Sequence, residues 1–195
     1  SQPRIQENLY DVCWVSQYRP ARFENSMPEL RDNSLLLLQY VQRYCNEHGK
    51  SLAIACSCKE RGFPYEYRFL LQVLNNARET TIVPNDDNNF SSYKVIDQSR
   101  VTVTVNSTIG FEALSRGNKV LFCNFTKDEY YDIPSGYKFG PWSFVDDDVN
   151  YAKFRDKLVQ VLDCSDAAWK QKTQDMAQYF VCSDNKLLPQ DLLKA

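Results

Sequence analysis

Ser107, Thr108, Gly110 and Glu112 stand close together in the segment VTVTVNSTIGFEALSRGNKVLFCN, residues 101–124. Two hydroxyls, a residue without a side chain and a carboxylate one helical turn on are suited to holding a phosphate and the sugar beside it. Free backbone N–H groups at a helix N-terminus attract an anion, and a carboxylate accepts hydrogen bonds from ribose hydroxyls. This chemistry retains a leaving group; nothing in the segment is equipped to attack a bond. Three cations fall in positions that could add to such a cradle: Arg19, Lys59 and Arg61. Guanidinium and ammonium groups are the usual partners of phosphate oxygens, although a loop cation is more often simply solvated.

The elements that must position these residues can be read from the same segment. Val101–Val105 is an alternating β-branched run, Asn106-Ser107-Thr108 supply N-cap side chains, and Ile109–Arg116 carries Phe111, Ala113 and Leu114 at helical spacing. Gly117 stands where a left-handed C-cap belongs, and Lys119–Asn124 resumes as an apolar strand. The pattern predicts a compact β-α-β unit.

The rest of the chain repeats the alternation. Strands are predicted at 11–17, 51–57, 80–84 and 143–145. Helices are predicted from about Leu35 to Glu47 with Ser34 as cap, then at 65–77, 93–98, 151–162 and 167–180, with a short one in the tail 185–195. Strands alternating with helices predict a single α/β domain over 1–195, a Rossmann-like three-layer α/β/α fold with a mostly parallel sheet. Residues 1–9 are expected to be a flexible leader, and 150–195 a helical C-terminal extension packing on the sheet. In such a sheet ligands bind beyond the carboxyl ends of the strands. Those ends hold Ser16–Arg19, Ser57–Arg61, Asn85–Phe90, Asn106–Thr108 and Asn124–Lys127.

Composition narrows the function. With 195 residues, 43% hydrophobic and 25% charged, the chain has enough apolar material for one core. A net charge of −2 without a basic stripe argues against nucleic acid as a partner. No apolar run approaches the roughly 20 residues of a transmembrane helix, and no signal-peptide pattern opens the sequence. Seven cysteines, mostly inside apolar patterns, point to buried reduced thiols and a cytoplasmic location. That setting makes the sequons at Asn89, Asn106 and Asn124 accidental. Cys56-Ser57-Cys58 and a lone histidine, His48, do not make a zinc site, and His48 beside Gly49 reads as a helix C-cap. Neither a G-x-G-x-x-G nor a P-loop is present, and Ser-His-Asp or Cys-His hydrolysis has no base. Asp146-Asp147-Asp148 reads as a solvated helix entry, so no metal is expected.

Ser107-Thr108-x-Gly110-Phe111-Glu112-Ala113-Leu114-x-x-Gly117-x-Lys119-Val120 resembles the donor-binding half of GT-B glycosyltransferases. The likeness is to bacterial surface-carbohydrate biosynthesis proteins and to capsule-type transferases with a similar Ser-Ser/Thr-x-Gly-x-Glu-Ala-Leu run. Tyr93–Asp97 matches the short helix that precedes the motif in that group. The resemblance implies a C-terminal Rossmann-like domain that takes a nucleotide-sugar donor. Ser107, Thr108 and Gly110 would face its phosphate and Glu112 its ribose, with the loop cations Arg19, Lys59 and Arg61 read separately as candidates for the same cradle. It also implies an acceptor-binding domain beyond this chain, with turnover absent without it and peripheral membrane association open to the full protein. No separate cofactor is implied. Capsule transferases place a His-Pro pair where this chain has Ser57-Cys58-Lys59, which argues against CMP-linked donors.

Two other readings share the motif. Sugar-nucleotide 2-epimerases have a similar C-terminal half but need a histidine near the cleft. A non-catalytic Rossmann-like interaction module would present the aromatics Tyr130, Tyr131, Tyr137 and Trp142 to a partner.

Overall fold

A computed structural model of the chain describes residues 8–20, 28–74, 80–125, 138–144 and 149–180. Six strands are described: β1 (Tyr10–Val15), β2 (Leu52–Ala55), β3 (Thr80–Val83), β4 (Ser99–Thr104), β5 (Val120–Cys123) and β6 (Ser143–Phe144). They form one sheet in the order β3-β2-β1-β4-β5-β6, and every pairing is parallel. This is the doubly wound order, with its topological switch point between β1 and β4. The described helices are α1 (Pro28–His48), α2 (Phe63–Leu70), α3 (Ser91–Asp97), α4 (Thr108–Ser115), α5 (Tyr151–Asp163) and α6 (Asp166–Phe180).

The central strands are mostly apolar because helices cover both faces of the sheet, although Thr102 and Thr104 of β4 are buried with them. Val12, Cys13, Trp14, Leu52, Ala53, Ile54, Val101, Val103 and Val120–Cys123 are all buried. One layer is made by α1 and α5, where Tyr40 stacks among Phe125, Tyr151 and Phe154. The other is made by α3, α4 and α6, with α6 pinned by Trp169, whose indole N–H donates to the Asn118 carbonyl at 2.9 Å. The amino end of the sheet is tied by Asp11. Its carboxylate accepts from the Ser51 N–H at 3.1 Å and from Arg100 at 3.1 Å, joining β1, β2 and β4.

Several expected boundaries move. The first helix begins at Pro28, where a proline at the start costs no hydrogen bond, so Ser34 is not its cap. Ser34 lies inside α1, buried and with its hydroxyl unpartnered. Beside it Asn33 accepts from the Phe125 N–H at 2.9 Å and donates to the Cys123 carbonyl at 3.4 Å, closing the end of β5. The second helix starts at Phe63 and ends at Leu70, before the expected Ala77; a hydrogen-bonded turn follows from Leu71 to Val73. Gly49 and Gly117 follow α1 and α4 with φ of +59° and +89°, the left-handed C-cap conformation. Trp142, expected on an exposed loop, is 7% exposed and packs into the core; its indole lies under Gly140. Tyr130, Tyr131, Tyr137, Asp146–Asp148, Lys127, Cys182, the leader through Glu7 and the tail helix lie outside the described residues.

Candidate functional site

The carboxyl ends of β1 and β4 meet at the switch point, and one side chain joins them. Gln17, just past β1, donates from its amide to Asn106 Oδ1 at 2.8 Å and accepts from the Asn106 N–H at 3.2 Å. Both ends of the Gln17 amide are therefore engaged, and the turn from β4 into α4 is held against the β1 loop. Ser107 follows as the N-cap residue with extended backbone (φ −63°, ψ 137°), yet its hydroxyl makes no capping hydrogen bond. The Gly110 N–H donates to the Ser107 carbonyl at 2.9 Å, leaving the earlier amides of the turn as the ones open to an anion.

Gly110 has a second, steric reason. A Cβ there would lie 2.9 Å from Thr104 Cγ2 and 3.0 Å from Phe122 Cε1, so only glycine lets α4 sit this close to β4 and β5. Phe111 then stacks on Phe122 with centroids 4.5 Å apart.

Glu112 meets a hydroxyl of its own chain: the Tyr93 phenol donates to Glu112 Oε2. One turn further on, Arg116 donates to Asp97 at 3.1 Å, and Asn118 donates to the same carboxylate at 2.6 Å. Both cross-links join residues 19 apart, so α3 and α4 run parallel. Their starts, Ser91 and Thr108, therefore both open at the carboxyl end of the sheet. Between them lies a crevice of about 230 Å³ lined by Asn85, Asp86, Asp87, Phe90, Ser91, Ser92, Tyr93 and Ile109. At its rim Phe90 is 63% exposed and holds a left-handed backbone (φ +50°). For a bulky residue that is an unfavourable conformation, of the kind found at ligand rims.

The three cations meet different surroundings. Arg19 donates to the neighbouring Tyr18 carbonyl at 3.1 Å from an exposed position between the β2 and β4 loops. Lys59 pairs with Asp87 of the crevice lining, tying the β2 loop to the β3 loop. Arg61 is exposed on the β2 loop.

The residue that shapes that loop is Glu66, which the motif reading passes over. It is completely buried on α2, and its two carboxylate oxygens accept from the Ser57 N–H at 2.9 Å and the Cys58 N–H at 2.7 Å. Ser57 Oγ donates onward to the Tyr18 carbonyl at 2.6 Å. The amides past β2 are thus closed by the protein's own carboxylate, whereas those at the start of α4 are not. A glutamate on the same face as Phe69 and Leu70 was the available signal.

The cysteines of this region are not built for reaction. Burial, followed by the nearby Glu66 charge, pushes the Cys58 thiol up to about 11, and burial also raises Cys13 and Cys56. Among the described residues no three of His, Cys, Asp and Glu gather into a metal-binding group. No described helix is long and apolar enough to cross a membrane. His48 stacks on Tyr44 at the end of α1, at the amino end of the sheet and opposite the crevice.

Comparison with solved structures shows similarity to the crystal structure of a "putative UDP-N-acetylglucosamine 2-epimerase" from Listeria monocytogenes, with a TM-score of 0.52 and 16% identity. The match covers 87% of this chain and 40% of that one, so this chain spans about two-fifths of the solved protein. At this identity the likeness establishes the fold. No curated protein matches the chain. Residues 11–189 match the model of a family described as "putative O-antigen biosynthesis protein", and the chain, a Rossmann-like α/β domain, belongs to that family.

Proposed function

We propose that the chain is the nucleotide-sugar donor-binding domain of a GT-B type glycosyltransferase acting in surface-polysaccharide biosynthesis on the cytoplasmic side. The observation that carries this reading is the start of α4. It lies at the topological switch point, its N-cap hydroxyl leaves the first amides uncapped, and a carboxylate stands one turn inside. Uncapped amides at a helix start favour a phosphate, and Glu112 can accept from ribose hydroxyls. In this reading Ser107 and Thr108 meet the phosphate through amides and hydroxyls, while Gly110 keeps the helix close to the strand. Arg19, Lys59 and Arg61 strengthen the field, Lys59 by exchanging Asp87 for the ligand. Transfer would proceed by electrostatic stabilisation of the departing phosphate and needs no metal from these residues. The acceptor and any general base come from a further domain, so this chain binds a donor without turning it over.

A second reading, the corresponding half of a sugar-nucleotide 2-epimerase, is favoured by the structural neighbour. The position of His48 opposite the crevice weighs against it within this chain.

Thermal melting with UDP, GDP and CMP and their sugars tests the donor site. At least one is expected to raise the melting temperature, and Glu112→Ala to abolish the rise. An unchanged curve with all of them would remove the proposal and leave the interaction-module reading.

A further inference from the structure

Tyr93 is absent from the motif, yet it connects the crevice, Glu112 and Arg116. Its ring lines the crevice, its phenol donates to one oxygen of Glu112, and the Arg116 guanidinium lies over its face 5.0 Å from the centroid. Arg116 is itself fixed by Asp97, so the tyrosine is held between a cation anchored to α3 and the carboxylate it bonds. The two helices position it because they are cross-linked by its own bond to Glu112 and, one turn on, by Arg116 and Asn118 on Asp97.

From this geometry we infer that Tyr93 is a positioning residue for ribose recognition: it fixes the Glu112 carboxylate in one orientation and leaves the second carboxylate oxygen for a ribose hydroxyl. The inference rests on the donor-site reading above. Left unheld, a glutamate one turn inside a helix samples several rotamers and loses entropy whenever it binds; the phenol removes that cost in advance. The contact is mutual. The hydrogen bond to Glu112, ahead of burial, raises the Tyr93 phenol above its ordinary range, so it stays protonated and remains a donor at neutral pH. Ser99 and Ser115, the nearby hydroxyls at the far ends of these helices, donate to backbone carbonyls instead and leave the carboxylate to Tyr93.

The test uses the full chain and whichever of UDP, GDP and CMP binds it most tightly, together with the 2′-deoxy form of that nucleotide. The native chain is expected to favour the ribonucleotide by about tenfold, the size of one charge-assisted hydrogen bond. Tyr93→Phe keeps the ring in the crevice and under Arg116 while removing the phenol. It is expected to bring the ribo-to-deoxyribo ratio close to one with little change in affinity for the deoxy form. A role in folding alone would weaken both forms equally. Glu112→Gln supplies the other side of a double-mutant cycle: the pair of substitutions is expected to cost no more discrimination than either alone. An unchanged ratio in Tyr93→Phe, or penalties that add in full in the double variant, would overturn the positioning role while leaving the donor site standing. Failure of the native chain to bind any of the three nucleotides would overturn the donor-site reading itself and the role of Tyr93 with it.

Discussion

Glu66 shows how much a single buried side chain decides here. A carboxylate with no exposed surface would be costly were it not met by hydrogen-bond donors, and the Ser57 and Cys58 amides supply them. Removing it leaves two amide donors without their partner in a closed environment. Glu66→Ala is therefore expected to lower stability by about 2–3 kcal/mol, read as a drop in the urea midpoint at constant slope. Glu66→Gln, which keeps one acceptor, should lose less. An alanine variant as stable as the native chain would show that water replaces the carboxylate without loss. Glu112 differs in kind: it is partly exposed, has a single partner and lies beside a turn whose amides are open. Its position was legible in the sequence as a glutamate one turn into a helix. That Tyr93 meets it was not, because the contact depends on how two helices lie side by side.

At the scale of elements, the strands were the most legible features. A parallel strand covered on both faces is rich in apolar and β-branched residues, and Asp11–Gln17, Ser51–Ser57 and Val101–Val105 each contain the observed strand or most of it. The helix start at Pro28 was hidden because Asn33 and Ser34 break the apolar stripe of α1 on its buried side. Asn33 is there to bond the end of β5, a partner about ninety residues away that no local pattern records.

The join at the amino end of the sheet makes a prediction about pH. Burial opposes ionisation of Asp11, but the Ser51 N–H, Arg100 and Lys50 outweigh it and hold its carboxyl below the usual aspartate range. A carboxyl lowered in the folded state stabilises the protein above the unfolded aspartate value of about 3.9 and loses that contribution as pH falls through the folded value. Asp11→Asn should thus lower the urea midpoint near neutrality, and the gap to the native chain should close in acid below about pH 4. A gap independent of pH would show that the charge of Asp11 contributes nothing to the fold.

Across the whole molecule, one core runs from β3 to β6 without interruption, and α6 is fastened to it by Trp169 rather than set apart. Urea unfolding is therefore expected as one cooperative transition. Tryptophan fluorescence, reporting Trp14 at the sheet centre, Trp142 beside β6 and Trp169 in α6, should coincide with far-UV circular dichroism. An earlier fluorescence transition, lost on Trp169→Phe, would show that α6 detaches first.

Taken alone, the sequence determined the α/β alternation, the central β-α-β unit with its helix stop at Gly117, and the pairing of a hydroxyl-rich helix start with Glu112. These rest on interactions within a turn or two of chain, namely capping, periodicity and backbone freedom, which neighbouring residues record directly. Only the tertiary structure decided that Lys59 turns to Asp87, that Glu66 closes the amides past β2, that Gln17 bridges the switch point and that Tyr93 holds Glu112. Each of these joins groups brought together by the order of the strands or the packing of two helices. A polar side chain has many partners it could reach in sequence and only the fold says which one lies within hydrogen-bond distance.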